Sequence, residues 1–212
     1  NYITKKGEFC GFMPCSHQTP PPKEQLPPLC WIPYSQDNSG GGQLWATGAK
    51  WGPFNGELFH LSYGKCVVFH VLREQVGDVW QGGVVKLPFK FISGVMRGRF
   101  NPADGQLYVA GLRGWSSGAA RDCAFQRVRH PGKPVHLPVS VVTRKGGMDI
   151  TFTSPLDPAS VADPGNIGAV AFNVVRPGGS GSPEFSIEDP KKNRRDPVEI
   201  ASASLKADAR TI

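Results

Sequence analysis

Long helical patterns are missing from this chain. No window of twelve residues carries apolar side chains at i, i+3, i+4 and i+7 without also containing Gly or Pro, which removes helical bundles from consideration. Apolar runs long enough for a membrane span, about 18 residues, are missing too. The opening residues lack the charged and apolar regions of a signal peptide. The first residues, Asn1-Tyr2-Ile3-Thr4, begin without Met, and the last ones stop as a strand begins after a turn. Both ends therefore read as cut, an excerpt of a longer protein. The net charge is +7 and the pI about 9.3, yet no recognition-helix or ribonucleoprotein motif accompanies them. The one dense cationic run, Lys191-Lys192-Asn193-Arg194-Arg195, lies between Asp189-Pro190 and Asp196-Pro197 and reads as a solvated loop. Nucleic acid is not an expected partner.

Metal ligands are equally sparse. The five cysteines stand at 10, 15, 30, 66 and 123, an odd number at irregular spacing. Cys10 and Cys15 lie too far apart for C-x-x-C-H haem attachment, and Ser16 separates Cys15 from His17. A zinc site would need a second pair of ligands, so a disulfide or two thiols is expected and no metal.

What the chain has in quantity is Gly, 26 residues, and Pro, 20 residues, punctuating short β-branched and aromatic runs. That texture predicts an all-β fold. Residues 1–28 form an irregular connection, ending in a Pro-rich stretch in which repeated Pro forbids ladder pairing. Leu29–Tyr34 and Gln43–Thr47 read as strands, with Asp37-Asn38 and three glycines as the loop between. Glu57–Tyr63 and Cys66–Leu72 form a hairpin about Gly64-Lys65. Gln81–Phe91 is a further apolar run, and Val95–Phe100 pairs with Gln106–Leu112 about a turn at Asn101–Gly105. Gly56-Glu57-Leu58-Phe59 echoes Gly105-Gln106-Leu107-Tyr108 at a spacing of about 45 to 50 residues, the period of propeller blades. Pro131-Gly132-Lys133-Pro134 marks a boundary. Beyond it come short strands at 139–143, 148–153, 169–175 and 198–205, around the turn-rich run 154–166, the spacing of a sandwich.

The segment Gly56–Val71, followed by Val95–Val109, resembles a late blade of the soluble quinoprotein glucose/sorbosone dehydrogenase-type β-propeller. Asp37–Trp45 and Met96–Val109 together resemble large secreted bacterial proteins that join this propeller to haem-binding modules. Phe152–Ser160 with the distal Ala207–Thr211 resembles bacterial Ig-like domains. The resemblance implies an all-β chain in which the last one or two blades of a partial propeller, residues 29–133, run into an incomplete Ig-like sandwich, residues 134–212. It further implies a periplasmic or extracellular oxidoreductase acting on a sugar or small alcohol. The cofactor would be pyrroloquinoline quinone, with electrons passing to a c-type haem held by parts of the protein outside this segment. The alternative is a non-catalytic carbohydrate-binding or structural propeller/Ig-like module whose partners are other domains of the same chain.

Lys65, Arg97, Arg99 and Arg113 are the cations that such a quinone would need for its carboxylates. Arg97 and Arg99 share one face of a short strand and could equally pair with Asp104 or Asp122. Arg113 ends a strand, where a propeller carries its ligand groups. His60, on a face with Ser62, and Asn38 in the glycine-rich loop stand as substrate contacts. For His60 the favoured reading is a hydrogen-bonded structural histidine, able to pair with His70 across the hairpin, and for Asn38 a plain turn. Trp31, Trp45, Trp51 and Trp115 read as core. No catalytic base is identifiable.

Overall fold

The computed structural model of the chain describes residues 26–48, 50–174 and 183–212. The readings made on Cys10, Cys15 and most of the Pro-rich connection lie outside these residues. The chain is all-β, built from several antiparallel sheets that form no closed barrel among the described residues.

The first sheet is a four-stranded meander of β1 (Gly40–Trp45), β2 (Leu58–Ser62), β3 (Val67–Val76) and β4 (Val79–Lys86). The second has three strands, β5 (Arg97–Phe100), β6 (Leu107–Leu112) and β7 (Cys123–Val128), again a meander. All five residues of β2 and the first six of β3 are buried, which is why this stretch shows no apolar/polar alternation. Apolar side chains of the two sheets meet in one core that includes Leu44, Phe59, Leu61, Val68, Val95, Leu107 and Val109. Trp51 sits edge-on to Phe59 at 5.5 Å and to Phe100 at 5.1 Å. Edge-on pairs of this kind contribute about 0.5–1.5 kcal/mol each beyond the area they bury.

The internal echo falls on equivalent places. Leu58 opens the second strand of the first meander and Leu107 the second strand of the next. Gly56 and Gly105, two residues earlier in each, both have left-handed backbone, φ 87° and φ 67°. The three glycines read as a loop belong to β1 instead. A Cβ on Gly41 would sit 1.9 Å from the Val95 carbonyl oxygen, so the glycine lets the two sheets approach at this point.

Other expectations need correction. Leu29–Tyr34 is not a strand: Pro28 and Pro33 carry no donor, and the Pro33 carbonyl accepts from Gln36 and Asp37 to make a turn. β3 runs on past Leu72 to a second hairpin with Gly77-Asp78 at its tip, Val76 facing Val79. β7 is an additional strand. Of the four tryptophans read as core, Trp51 alone is buried; Trp31, Trp45 and Trp115 are exposed, with Trp45 covered by the Arg73 guanidinium at 4.6 Å.

After Pro134 the elements shorten. β8 (Pro138–Arg144) and β9 (Gly147–Phe152) form a hairpin. Phe152 N–H donates to the Arg210 carbonyl at 2.9 Å, and Ile150 and Ile212 exchange backbone hydrogen bonds at 2.8 and 3.1 Å. The end of the chain is thus laid along β9, bringing together Phe152–Ser160 and Ala207–Thr211. Asp157 caps a one-turn helix, α1 (Pro158–Ala162), accepting from Ala159 and Ser160 N–H. β10 (Ala169–Ala171) pairs with β13 (Asp196–Val198), and β11 (Asn173–Val174) with β12 (Glu184–Phe185). The strand expected over 198–205 ends at Val198. The Pro131–Pro134 boundary does not separate the cores: Val135, Leu137 and Val139 pack on the cluster of the first two sheets. Thr143 N–H and hydroxyl also donate to Glu74, at 2.7 and 2.8 Å.

Candidate functional site

Strand alternation sorts β5 into two faces. Gly98 is buried against Leu61 and Leu107, and Arg97 and Arg99 are exposed on the other side, as their spacing predicts. Cross-strand register then adds Ala110 and Phe125 beside Arg97, and Tyr108 and Arg127 beside Arg99. Arg97, Gly98, Arg99, Asn101, Tyr108, Ala110 and Phe125 line an open groove of about 590 Å3.

Phe125, 73% exposed, lies on Tyr108 with ring centroids 5.6 Å apart and planes 26° from parallel. The Arg127 guanidinium covers the Tyr108 ring at 5.9 Å. The Tyr108 hydroxyl donates to Asp104 at 2.7 Å, and Arg127 stands 3.8 Å from the same carboxylate. The Gln106 backbone N–H, the Tyr108 hydroxyl and the Arg127 charge hold the Asp104 carboxyl below its ordinary value. Arg97 differs. Its Nη1 donates to the Gly41 and Met96 carbonyls, each at 2.7 Å, and Arg99 Nη1 donates to the Gly98 carbonyl at 2.8 Å. Neither forms an ion pair among the described residues: Asp104 stands with Arg127, and Asp122 with Arg113 at 4.0 Å.

The second candidate region is centred on Asp37, between the loop before β1 and β2. His60 Nε2 is 2.5 Å from Asp37 Oδ2, and the Ser62 hydroxyl donates to Asp37 Oδ1 at 2.7 Å. Burial alone would raise the Asp37 carboxyl; the hydrogen bonds from His60, Ser62 and the Ser39 N–H outweigh it and hold the group below its ordinary value. An ionised carboxylate only accepts, so His60 Nε2 carries the hydrogen. Ser62 in turn accepts from the Lys65 N–H at 3.1 Å. The aspartate sits between the histidine and the serine, so the hydroxyl donates to the carboxylate and not to the imidazole. This is a clamp that ties the loop before β1 to β2.

Register also separates the two histidines. His60 faces Phe69 and His70 faces Phe59, so the rings lie on opposite faces of the hairpin and do not meet. His70 is fully buried, 3.1 Å from Glu57 Oε2 and 3.4 Å from the Pro138 carbonyl. Asn38 Nδ2 donates to the Ser116 carbonyl at 3.0 Å, and its side chain packs on Gly64, where a Cβ would be 2.1 Å from Oδ1. Lys65, in the turn between β2 and β3, and Arg113, just past β6, are not among the groove-lining residues. The four expected cations therefore divide, with two on the groove and two off it.

Tyr108, Phe125 and Asn101 were not singled out from the sequence. The sequence carried little signal for them: in the fold Cys123–Val128 alternates exposed and half-buried, but each face mixes apolar and polar residues, Phe125 with Arg127 on one and Val128 with Gln126 on the other. The cationic run 191–195 is answered locally: Lys192 pairs with Asp189 at 3.2 Å, Arg194 with Glu188 at 2.8 Å, and Arg195 with Glu184. Cys30, Cys66 and Cys123 are free thiols. Among the described residues no group of three His, Cys, Asp or Glu could hold a metal ion, and no helix is long and apolar enough to cross a membrane.

Fold and site together define an all-β protein with an open arginine and aromatic face. The chain matches no protein family, no curated protein and no solved structure.

Proposed function

We propose that this chain is a non-catalytic binding module of a periplasmic or extracellular protein, taking a saccharide on the open face of β5, β6 and β7. The observation that carries the reading is the exposed Phe125 ring, stacked on Tyr108 and flanked by Arg97 and Arg99. A rigid aromatic platform presents a large apolar surface at little entropic cost, and the polar groups around it can orient a ligand's hydroxyls. The two meanders serve as closing blades of a propeller, which the equivalent placement of Leu58 and Leu107 supports. The β8–β9 hairpin with residues 210–212 along it begins an Ig-like spacer toward other domains of the same chain.

The oxidoreductase reading has less support. A quinone tricarboxylate would need its cations on one site, whereas Lys65 and Arg113 lie off the groove that Arg97 and Arg99 line. No His, Asp or Glu lines that groove to accept a hydroxyl proton. The donor set does not fit the cofactor.

The test is calorimetric titration of the full chain with a panel of oligosaccharides, for wild type and Phe125→Ala. Saturable binding that weakens roughly tenfold in the variant is the expected result. Binding indifferent to Phe125, or none to any saccharide, would overturn the reading.

A further inference from the structure

We propose that the ligand of this face is an acidic glycan, whose carboxylate or sulfate groups are met by Arg97 and Arg99. This rests on the saccharide reading above and specifies its ligand class. The argument begins with what the groove lacks. Its lining is Arg97, Gly98, Arg99, Asn101, Tyr108, Ala110 and Phe125, two cations and no carboxylate. Five arginines elsewhere on the surface are matched: Arg113 with Asp122, Arg127 with Asp104, Arg144 with Asp149, Arg194 with Asp196 and Arg195 with Glu184. Arg73, Arg121, Arg129 and Arg210 form no ion pair among the described residues; what sets Arg97 and Arg99 apart is that they share one groove. Both are held by carbonyls, those of Gly41, Met96 and Gly98. A carbonyl bond orients a guanidinium without cancelling its charge. Each group has five N–H donors, and the hydrogen bonds above use only Nη1. Donors therefore remain for a bidentate contact with a carboxylate or sulfate.

The two cations are also partly pre-ordered. They sit on one strand two residues apart, about 6.6–6.8 Å along its axis. A ligand with anionic groups repeated along a chain can use both, and ordering the side chains costs less than it would on a loop. Asn101 adds a neutral donor and acceptor for hydroxyls. The aromatic pair decides against single-stranded nucleic acid. Tyr108 is half-buried, with Phe125 at 5.6 Å and the Arg127 guanidinium at 5.9 Å against it, so Phe125, 73% exposed, is the one widely open ring among the groove-lining residues. Nucleic-acid channels stack successive bases on successive platforms.

The experiment uses the full chain and four probes: a galacturonate hexamer, its fully methyl-esterified counterpart, a sulfated hexasaccharide, and oligothymidylate. The ester keeps the sugar shape and removes the charge. At 50 mM NaCl the acid or the sulfate is expected to bind at least roughly tenfold tighter than the ester, with the advantage falling as salt rises. Whichever of the two prevails identifies the anionic group. Arg99→Ala is expected to reduce that advantage to roughly threefold or less, with Arg99→Lys intermediate because a lysine cannot bind bidentately. A melting curve for each variant separates lost binding from lost fold. Equal binding of acid, sulfate and ester would overturn the acidic assignment and leave the saccharide reading standing. Arg99-dependent binding of oligothymidylate alone, or binding of no probe, would overturn both.

Discussion

Two polar clusters compete for the role of functional site, and they answer the same physical question in opposite ways. Beneath β2, Asp37, His60 and Ser62 satisfy one another, with both members of the Asp37–His60 pair 6% exposed. On the outer face of β5, Arg97 and Arg99 are exposed, are oriented by backbone, and have no carboxylate partner among the described residues. A buried charge left unpaired costs several kcal/mol, so the interior closes its polar groups on themselves. A surface charge left unpaired costs little and remains available to a ligand. The sequence offered His60, on a face with Ser62, as a substrate contact and Arg97 with Arg99 as cofactor cations; exposure leaves only the arginines open to a ligand.

The largest effect is expected from breaking the clamp. Asp37→Ala strands His60 and Ser62 in the interior and is expected to lower unfolding free energy by about 3 kcal/mol, read by denaturant titration. A loss below about 0.5 kcal/mol would mean that water reaches the cluster and that the contrast with β5 is not one of burial. Acid sharpens the same point. The folded Asp37 carboxyl lies below its ordinary value of 3.8, so the unfolded chain takes up this proton first as pH falls. Its stabilisation is complete above that value and disappears as pH drops through the folded one. Asp37→Asn should remove this part of the acid dependence, as measured by melting temperature against pH.

A smaller effect of the same sign is expected at the end of the chain. The Thr211 hydroxyl and the Arg210 and Thr211 N–H groups lower the Asp208 carboxyl from 3.8 to about 2. Its contribution is present above pH 3.8 and fades as pH falls toward about 2. Asp208→Asn should flatten that window and increase amide exchange at Ile212, whose N–H bonds the Ile150 carbonyl. The smallest change in stability is expected on the open face. Arg99→Ala and Phe125→Ala should each shift unfolding free energy by no more than about 0.5 kcal/mol, because neither side chain is part of the core. A larger loss in either would show that the groove is structural and would remove its distinction from the clamp.

Much of the strand pattern was legible because it depends on local chemistry. The hairpin of β2 and β3, the pairing of β5 with β6, and the shared face of Arg97 and Arg99 follow from apolar runs, turn residues and alternation. β7 was overlooked because Cys123–Val128 mixes Gln126 and Arg127 with few β-branched residues. The glycines of β1 read as a loop because the close sheet contact they permit is a property of a distant strand. The stacking of Phe125 on Tyr108 likewise depends on the register of β6 against β7, which separates residues 17 positions apart by one diagonal step.

By itself the sequence determined the all-β class, the places where strands turn, and which side chains share a strand face, since these follow from backbone conformational preference and a period of two. Only the tertiary structure decided which polar residues are sealed and which are open. Asp37 reaches His60 across 23 positions and Arg97 reaches the Gly41 carbonyl across 56, and contacts of that range depend on how the sheets pack. The same packing buries His60 and Ser62, leaves Phe125 in the open, and divides the four cations that a linear reading had grouped together.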